Sequence, residues 1–227
     1  MVRKILLASG IGSSVLYVVM NVVAAMRYPG YDSVSQTVSE LSAIGAPTRD
    51  LWVAAAMLYE ILIVAFGIGV WMSARHRRRL QVVAGLLLAY GIFNFWWPPM
   101  HQREVIAAGG GTLTDQLHLV WAGVAVLFMF LFIAFGATGF GTRFRLYSIG
   151  TILVLLFFGA LTFPSTDAIA TGQPTPWVGV WERINIFMYL QWIAVLAIRL
   201  MREKRVAHRS VPDEASRRLA AAAGHMI

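Results

Sequence analysis

Residues 51–79 read LWVAAAMLYEILIVAFGIGVWMSARHRRR. From Leu51 to Met72 this stretch carries one charged residue, Glu60, and it then places four arginines between Arg75 and Arg79. At about 1.5 Å per helical residue such a run spans roughly 30 Å, the hydrocarbon thickness of a bilayer. Membrane strands need only about 10 residues and alternate in polarity, which this run does not. The stretch therefore predicts a transmembrane helix, with the basic cluster at its cytoplasmic end.

Working outward, five further apolar runs repeat the pattern. With the first they are predicted as spans near 5–26, 51–72, 80–97, 117–138, 146–163 and 178–201. The first run follows Arg3 and Lys4 but is longer than the apolar core of a signal peptide, so it reads as a retained anchor. The composition agrees: of 227 residues, 58% are hydrophobic and 13% charged, against roughly 25% charged in soluble domains. Mean hydropathy is +0.67. The expected fold class is all-α, a polytopic integral membrane bundle of six transmembrane helices, residues 1–201, followed by a basic cytoplasmic tail, 202–227. No separate soluble domain fits. The absence of cysteine removes disulfides, thiolate nucleophiles and cysteine-ligated metals.

Charge sets the orientation. Fifteen of the nineteen Lys and Arg residues fall at the N-terminus, at 75–79, at 143–145 and from Arg199 onward; only Arg27, Arg49, Arg103 and Arg183 lie on the other side. Both termini are therefore expected in the cytoplasm. The net charge of +8 reads as membrane-surface attraction by the tail, and no nucleic-acid partner is expected. Trp52, Trp96, Trp97, Trp177 and Trp181, with Tyr28 and Tyr31, are expected as an outer aromatic belt.

Local punctuation adds detail. Ser33 and Gln36 read as a capping box opening a short amphipathic helix near 33–43 on the outer face. Thr112 and Asp115 read as a second box, and Thr175-Pro176 as the start of the last helix. Ser9 with Ser13, and Gly85 with Ala89, are small-residue pairs that allow close helix approach. The glycines 109–111 follow no strand and precede no lysine, so they read as a loop and not a phosphate cradle.

The polar residues inside the spans lie on the outer side. Asn21, Glu60, Asn94, His118, Glu182, Arg183 and Asn185 all fall in the outer half or central plane, which predicts a cavity open to the outside. Glu60 is either a protonated hydrogen-bonding residue or a proton-relay carboxylate. His101, Asp115 and His118 are the candidate metal set: Asp115 and His118 share one helix face, and two imidazoles with a carboxylate suit zinc. Glu40, Glu60 and Glu182 are the candidate catalytic carboxylates. Ser39, Glu40, Glu60, Asn94, Glu182, Arg183 and Asn185 are the candidate cavity-lining residues. Arg183 is expected as the counter-ion of Glu60, Asp115 or Glu40, or as a residue reaching outer headgroups, and Arg103 as a surface residue able to hold a lipid phosphate.

Four segments together carry a resemblance: Tyr31–Leu41 ending in Ser39-Glu40-Leu41, then Pro99-Met100-His101, then Asp115-x-x-His118, then Gly179-x-Trp181-Glu182-Arg183-Ile184. They resemble a bacterial multi-pass family catalogued as domain of unknown function number 998, over about residues 5–200. The resemblance implies an integral membrane protein of six or seven helices and brings no activity with it. Zinc hydrolases of the ceramidase and adiponectin-receptor type are a remoter comparison; they place two histidines in one late helix, where the last span here has none. Three functional classes stand: a protein engaging membrane lipid or a small amphipathic molecule, a metal-dependent hydrolase at the outer leaflet, and a proton-coupled carrier using Glu60. Oligomeric state is not encoded in any pattern of the sequence.

Overall fold

The computed structural model describes residues 1–203. The tail expected from 202 onward lies, from residue 204, outside the described residues. In chain order the helices are α1 (Val2–Arg27), α2 (Arg49–Ala74), α3 (Arg78–Asn94), a short α4 (Arg103–Val105) running into a π-type turn at Ile106–Gly110, α5 (Leu113–Ala137), α6 (Thr142–Thr162), a short α7 (Ser165–Ala170) and α8 (Val178–Arg202). Among the described residues there is no strand, only an isolated bridge between Ile44 and His101. All-helical architecture is what a nonaqueous solvent selects, because each backbone N–H and C=O finds its partner within its own segment.

Among the described residues five helices are long and apolar enough to cross a membrane: α1, α2, α5, α6 continued through α7, and α8. The third expected span is shorter than predicted. α3 has 17 residues and ends at Asn94, where Phe95 and Trp96 turn ahead of Pro98 and Pro99. A proline pair lacks the N–H groups to extend the ladder and disfavours helical backbone just before it.

The six long helices form a closed ring. α1 packs on α2, α2 on α3, α3 on α5, α5 on α6, α6 on α8, and α8 returns to α1. Trp192 of α8 is fully buried at the centre of an aromatic cluster, stacked on Phe132 of α5 and tilted against Phe144 of α6. Its indole N–H donates to Ser148 of α6 at 2.9 Å, so even this deep side chain has its polar atom satisfied. Ser9 and Ser14 of α1 donate to the carbonyls of Leu62 in α2 and Leu190 in α8. Close approach of α1 and α2 falls at Gly69, where a Cβ would stand 2.9 Å from the Leu6 carbonyl carbon. Gly85, expected to serve the same purpose, faces open space.

One end of the ring gathers basic residues. Arg3 donates to Ser73 and to the Leu200 carbonyl, Arg77 forks onto Glu203, and Arg79 reaches the Thr138 carbonyl. The starts of α1 and α3 thus meet the ends of α2, α5 and α8.

The other end carries the 28–48 connection, and here the local reading needs correction. No α-helix forms over 33–43. The Asp32 carboxylate accepts the Val34 N–H and the Ser35 hydroxyl, closing a turn before any helix starts. The capping box is Thr37 with Glu40, and it opens a 3₁₀ helix, Val38–Ser42. Thr112 and Asp115 do cap α5 as expected. Thr175-Pro176 does not open the last helix: α8 begins at Val178, and the Thr175 hydroxyl donates to the Ser35 carbonyl. Of the expected belt, Trp96 and Trp177 are exposed, whereas Trp52 is buried edge-on against Tyr17.

Candidate functional site: an arginine-held cap over buried polar groups

The cap is residues 31–48, and three of the four arginines outside the basic end hold it. Glu40, 2% exposed, sits at the centre. Arg103 meets it with both prongs of its guanidinium, Nε to Oε2 and Nη2 to Oε1, each at 2.7 Å. The Thr37 N–H and hydroxyl and the Gln36 amide donate to the same carboxylate. A buried carboxylate with this many donors has its hydrogen-bonding capacity fully satisfied. The Glu40 carboxylate in turn holds the Arg103 guanidinium above its ordinary pKa. The remaining Arg103 donors reach Thr175 and the Ser35 carbonyl. Arg49 donates to the Ser42 carbonyl from the start of α2.

Arg183 of α8 is the second clamp. Its Nη1 donates to the Ser33, Gln36 and Gly179 carbonyls, its Nη2 to the Tyr31 hydroxyl at 2.6 Å, and its Nε to Asn21 of α1. The expected carboxylate partner is not Arg183's; Glu40 belongs to Arg103. Tyr31 passes the contact on by donating to the Thr37 carbonyl, and burial pushes its phenol pKa up against the opposing pull of Arg183. Glu182 accepts the Val38 N–H. Gly179 has no side chain because a Cβ there would collide with the Ser33 and Gln36 carbonyl oxygens. The Gly179, Glu182 and Arg183 positions therefore all read the backbone of the cap.

At the opposite edge, His118 of α5 is 5% exposed and has both ring nitrogens engaged: Nδ1 lies 2.7 Å from the Pro98 carbonyl and Nε2 3.1 Å from the Ser39 hydroxyl. His101 and Asp115 meet each other. Asp115 accepts the His101 N–H at 2.6 Å and lies 3.0 Å from its Nδ1, while the same carboxylate caps α5 through Thr112. His118 does not join them, and among the described residues no group of three or more His, Cys, Asp or Glu side chains is arranged to hold a metal ion.

The first three long helices carry further buried polar groups, Asn21, Glu60 and Asn94. Glu60, 7% exposed, has Asn94 against its carboxyl group. Each of the three leaves one buried side-chain atom without a partner: Glu60 Oε2, Asn94 Oδ1 and Asn21 Nδ2, from α2, α3 and α1. Tyr17 of α1 lies edge-on to Tyr59, the neighbour of Glu60 in α2, at 5.2 Å, and Tyr59 shares a hydroxyl contact with Tyr189. Asn185 stands apart: with its amide oriented to suit its neighbours, it bridges to Leu155 and Gly159 of α6.

A family model described as "Protein of unknown function (DUF998)" matches residues 11–199. The chain belongs to this family. Neither a curated protein nor a solved structure matches it. The four segments through which the sequence resembles DUF998 converge in space on the cap: Tyr31–Leu41 forms it, 99–101 lies along its edge through Met100 to Ile44, His118 touches Ser39, and Gly179–Arg183 holds its underside. Sequence reasoning missed the role of Arg103, Tyr31 and Thr175. The available signal was the scarcity of arginine on this side. Three of the four arginines that lie against the charge bias, Arg49, Arg103 and Arg183, hold the cap.

Proposed function

We propose that this DUF998 protein is a six-span protein of the bacterial cytoplasmic membrane, with both termini in the cytoplasm. Its outward-facing polar chamber, roofed by the 31–48 cap, takes up a membrane lipid or a small amphipathic molecule. The orientation rests on the distribution of Lys and Arg, and on the meeting of the α1 start and α8 end at one pole of the ring through Arg3. Counting α3 as a span rests on its packing between α2 and α5.

One observation carries the chamber. Glu60 Oε2, Asn94 Oδ1 and Asn21 Nδ2 are buried without partners on three different helices. An unpaired buried polar group loses roughly 1–3 kcal/mol, so three such atoms on the adjoining helices α1, α2 and α3 call for an occupant with hydrogen-bonding atoms, such as a headgroup or water. The unpartnered Glu60 oxygen also favours a second reading, a proton-coupled carrier in which this carboxyl gains and loses a proton. The zinc reading would require His118 to give up the Ser39 hydroxyl at Nε2 and to meet His101 and Asp115, which it does not touch.

Native mass spectrometry of the protein extracted in mild detergent tests the lipid reading. The expected result is a retained adduct of phospholipid mass on the wild type that is lost from Asn94→Leu, which removes an orphan polar group and fills space. A bare wild-type mass, or an undiminished adduct on Asn94→Leu, would overturn it.

A further inference from the structure

We propose that Ser39 and His118 are a nucleophile and its general base, acting on the acyl ester of a lipid at the outer face; this rests on the lipid reading above. The hydrogen-bond pattern sets the roles. The Pro98 oxygen can only accept, so His118 Nδ1 carries the proton that it receives at 2.7 Å. In the neutral ring Nε2 is then the acceptor, and the Ser39 hydroxyl, 3.1 Å away, is the donor. This is the protonation state a serine nucleophile needs from its base, with a backbone carbonyl holding the ring in place of a carboxylate.

A hydrogen bond between serine and histidine also serves to tie a loop to a helix, but here the loop is already tied. The Val38 N–H is bound by Glu182, Glu40 by Arg103, and the Ser42 carbonyl by Arg49, while Leu41 is fully buried. Ser39 sits among these fixed neighbours with its hydroxyl directed at His118 and remains partly exposed, whereas the base is shielded. Such a pair is preorganised, since neither side chain must be ordered when substrate arrives.

Location names the substrate class. On α5, Leu113, Leu117 and Val120 around His118 are 67%, 46% and 64% exposed, so hydrocarbon begins within a turn of the dyad. The ester carbonyls of glycerolipids occupy this boundary between headgroup and chain. In the reaction, Ser39 Oγ attacks the ester carbonyl carbon as its proton passes to His118 Nε2. The bond from carbonyl carbon to the leaving alcohol oxygen then breaks, and that oxygen takes the proton from His118. Water, deprotonated by the same nitrogen, attacks the acyl carbon; the bond to Ser39 Oγ breaks and Oγ takes the proton back from His118, so ester and water give acid and alcohol.

The test uses full-length protein in nanodiscs of phosphatidylethanolamine and phosphatidylglycerol, treated with a fluorophosphonate probe and mapped by peptide mass spectrometry. The expected result is one phosphonate on Ser39, formed at least tenfold more slowly in His118→Gln and absent from Ser39→Ala. The same variants lose fatty acid release from the nanodisc lipids. No adduct on Ser39 of the folded wild type, or an unchanged rate in His118→Gln, overturns the dyad; the wild-type result stands even if a variant fails to fold. Labelling without fatty acid release overturns the lipid ester as substrate. Unreactive Ser39 in a protein that retains its phospholipid refutes this proposal and leaves the lipid chamber standing, whereas reactive Ser39 in a protein that retains none refutes the chamber.

Discussion

Arg103 and Glu40, 63 positions apart, are joined by a two-pronged ion pair with both contacts at 2.7 Å. Glu40 is buried and Arg103 partly so, which makes the pair a latch on the cap. Glu40→Gln leaves Arg103 facing a neutral amide and is expected to destabilise cap docking by about 2 kcal/mol. Limited proteolysis between 31 and 48 should accelerate accordingly, and the double variant with Arg103→Gln should lose less than the sum of the two single losses.

Gly179 and Gly85 give opposite expectations. Gly179→Ala drives a methyl into the Ser33 and Gln36 carbonyls and should cost about 1–3 kcal/mol by overpacking, read as a lower thermal midpoint in detergent. Gly85→Ala meets open space on a helix and should be neutral or stabilising by roughly 0.5–1 kcal/mol.

Much of this architecture is legible in the sequence, and the site is only half so. The spans are visible because an apolar run is a local property, and so is a proline pair that ends one. Individual polar residues such as Glu40, Glu60 and Arg183 stand out for the same reason. Their pairing is not local. Nothing within the sequence neighbourhood of Arg103 says that its carboxylate lies at 40 and not at 115. In the cap Ser33–Gln36 and Thr37–Glu40 both satisfy a capping pattern, and the Asp32 turn decides between them by taking the Val34 amide first.

The Asp32 turn has a pH signature. Its carboxyl lies below the usual value of 3.8 because the Ser35 hydroxyl and the Val34 N–H bond the ionised form. The folded state therefore binds this proton less readily than the unfolded state. Its contribution is fully present above pH 3.8 and fades as pH falls through the lower folded value. Hydrogen exchange at the Val34 amide should accelerate in that acid range in the wild type, and Asp32→Asn should remove the acid step.

Topology is checked by reporter fusions. Fusions after Arg79, Arg145 and Arg202 should report cytoplasm, and those after Gly45, Gly110 and Thr171 the exterior. A cytoplasmic signal at Gly110 would remove α3 from the membrane and refute the six-span arrangement.

The outward-opening chamber is tested most directly by thiol access, because the chain has no cysteine and every introduced thiol is unique. Asn94→Cys in intact cells should react with a membrane-impermeant maleimide, more slowly than Gly45→Cys, and faster when Arg103→Gln loosens the cap. Arg79→Cys should react only after the membrane is opened. An Asn94→Cys thiol that stays unreactive from outside, with and without Arg103→Gln, or that reacts only from the cytoplasmic side, would contradict the chamber.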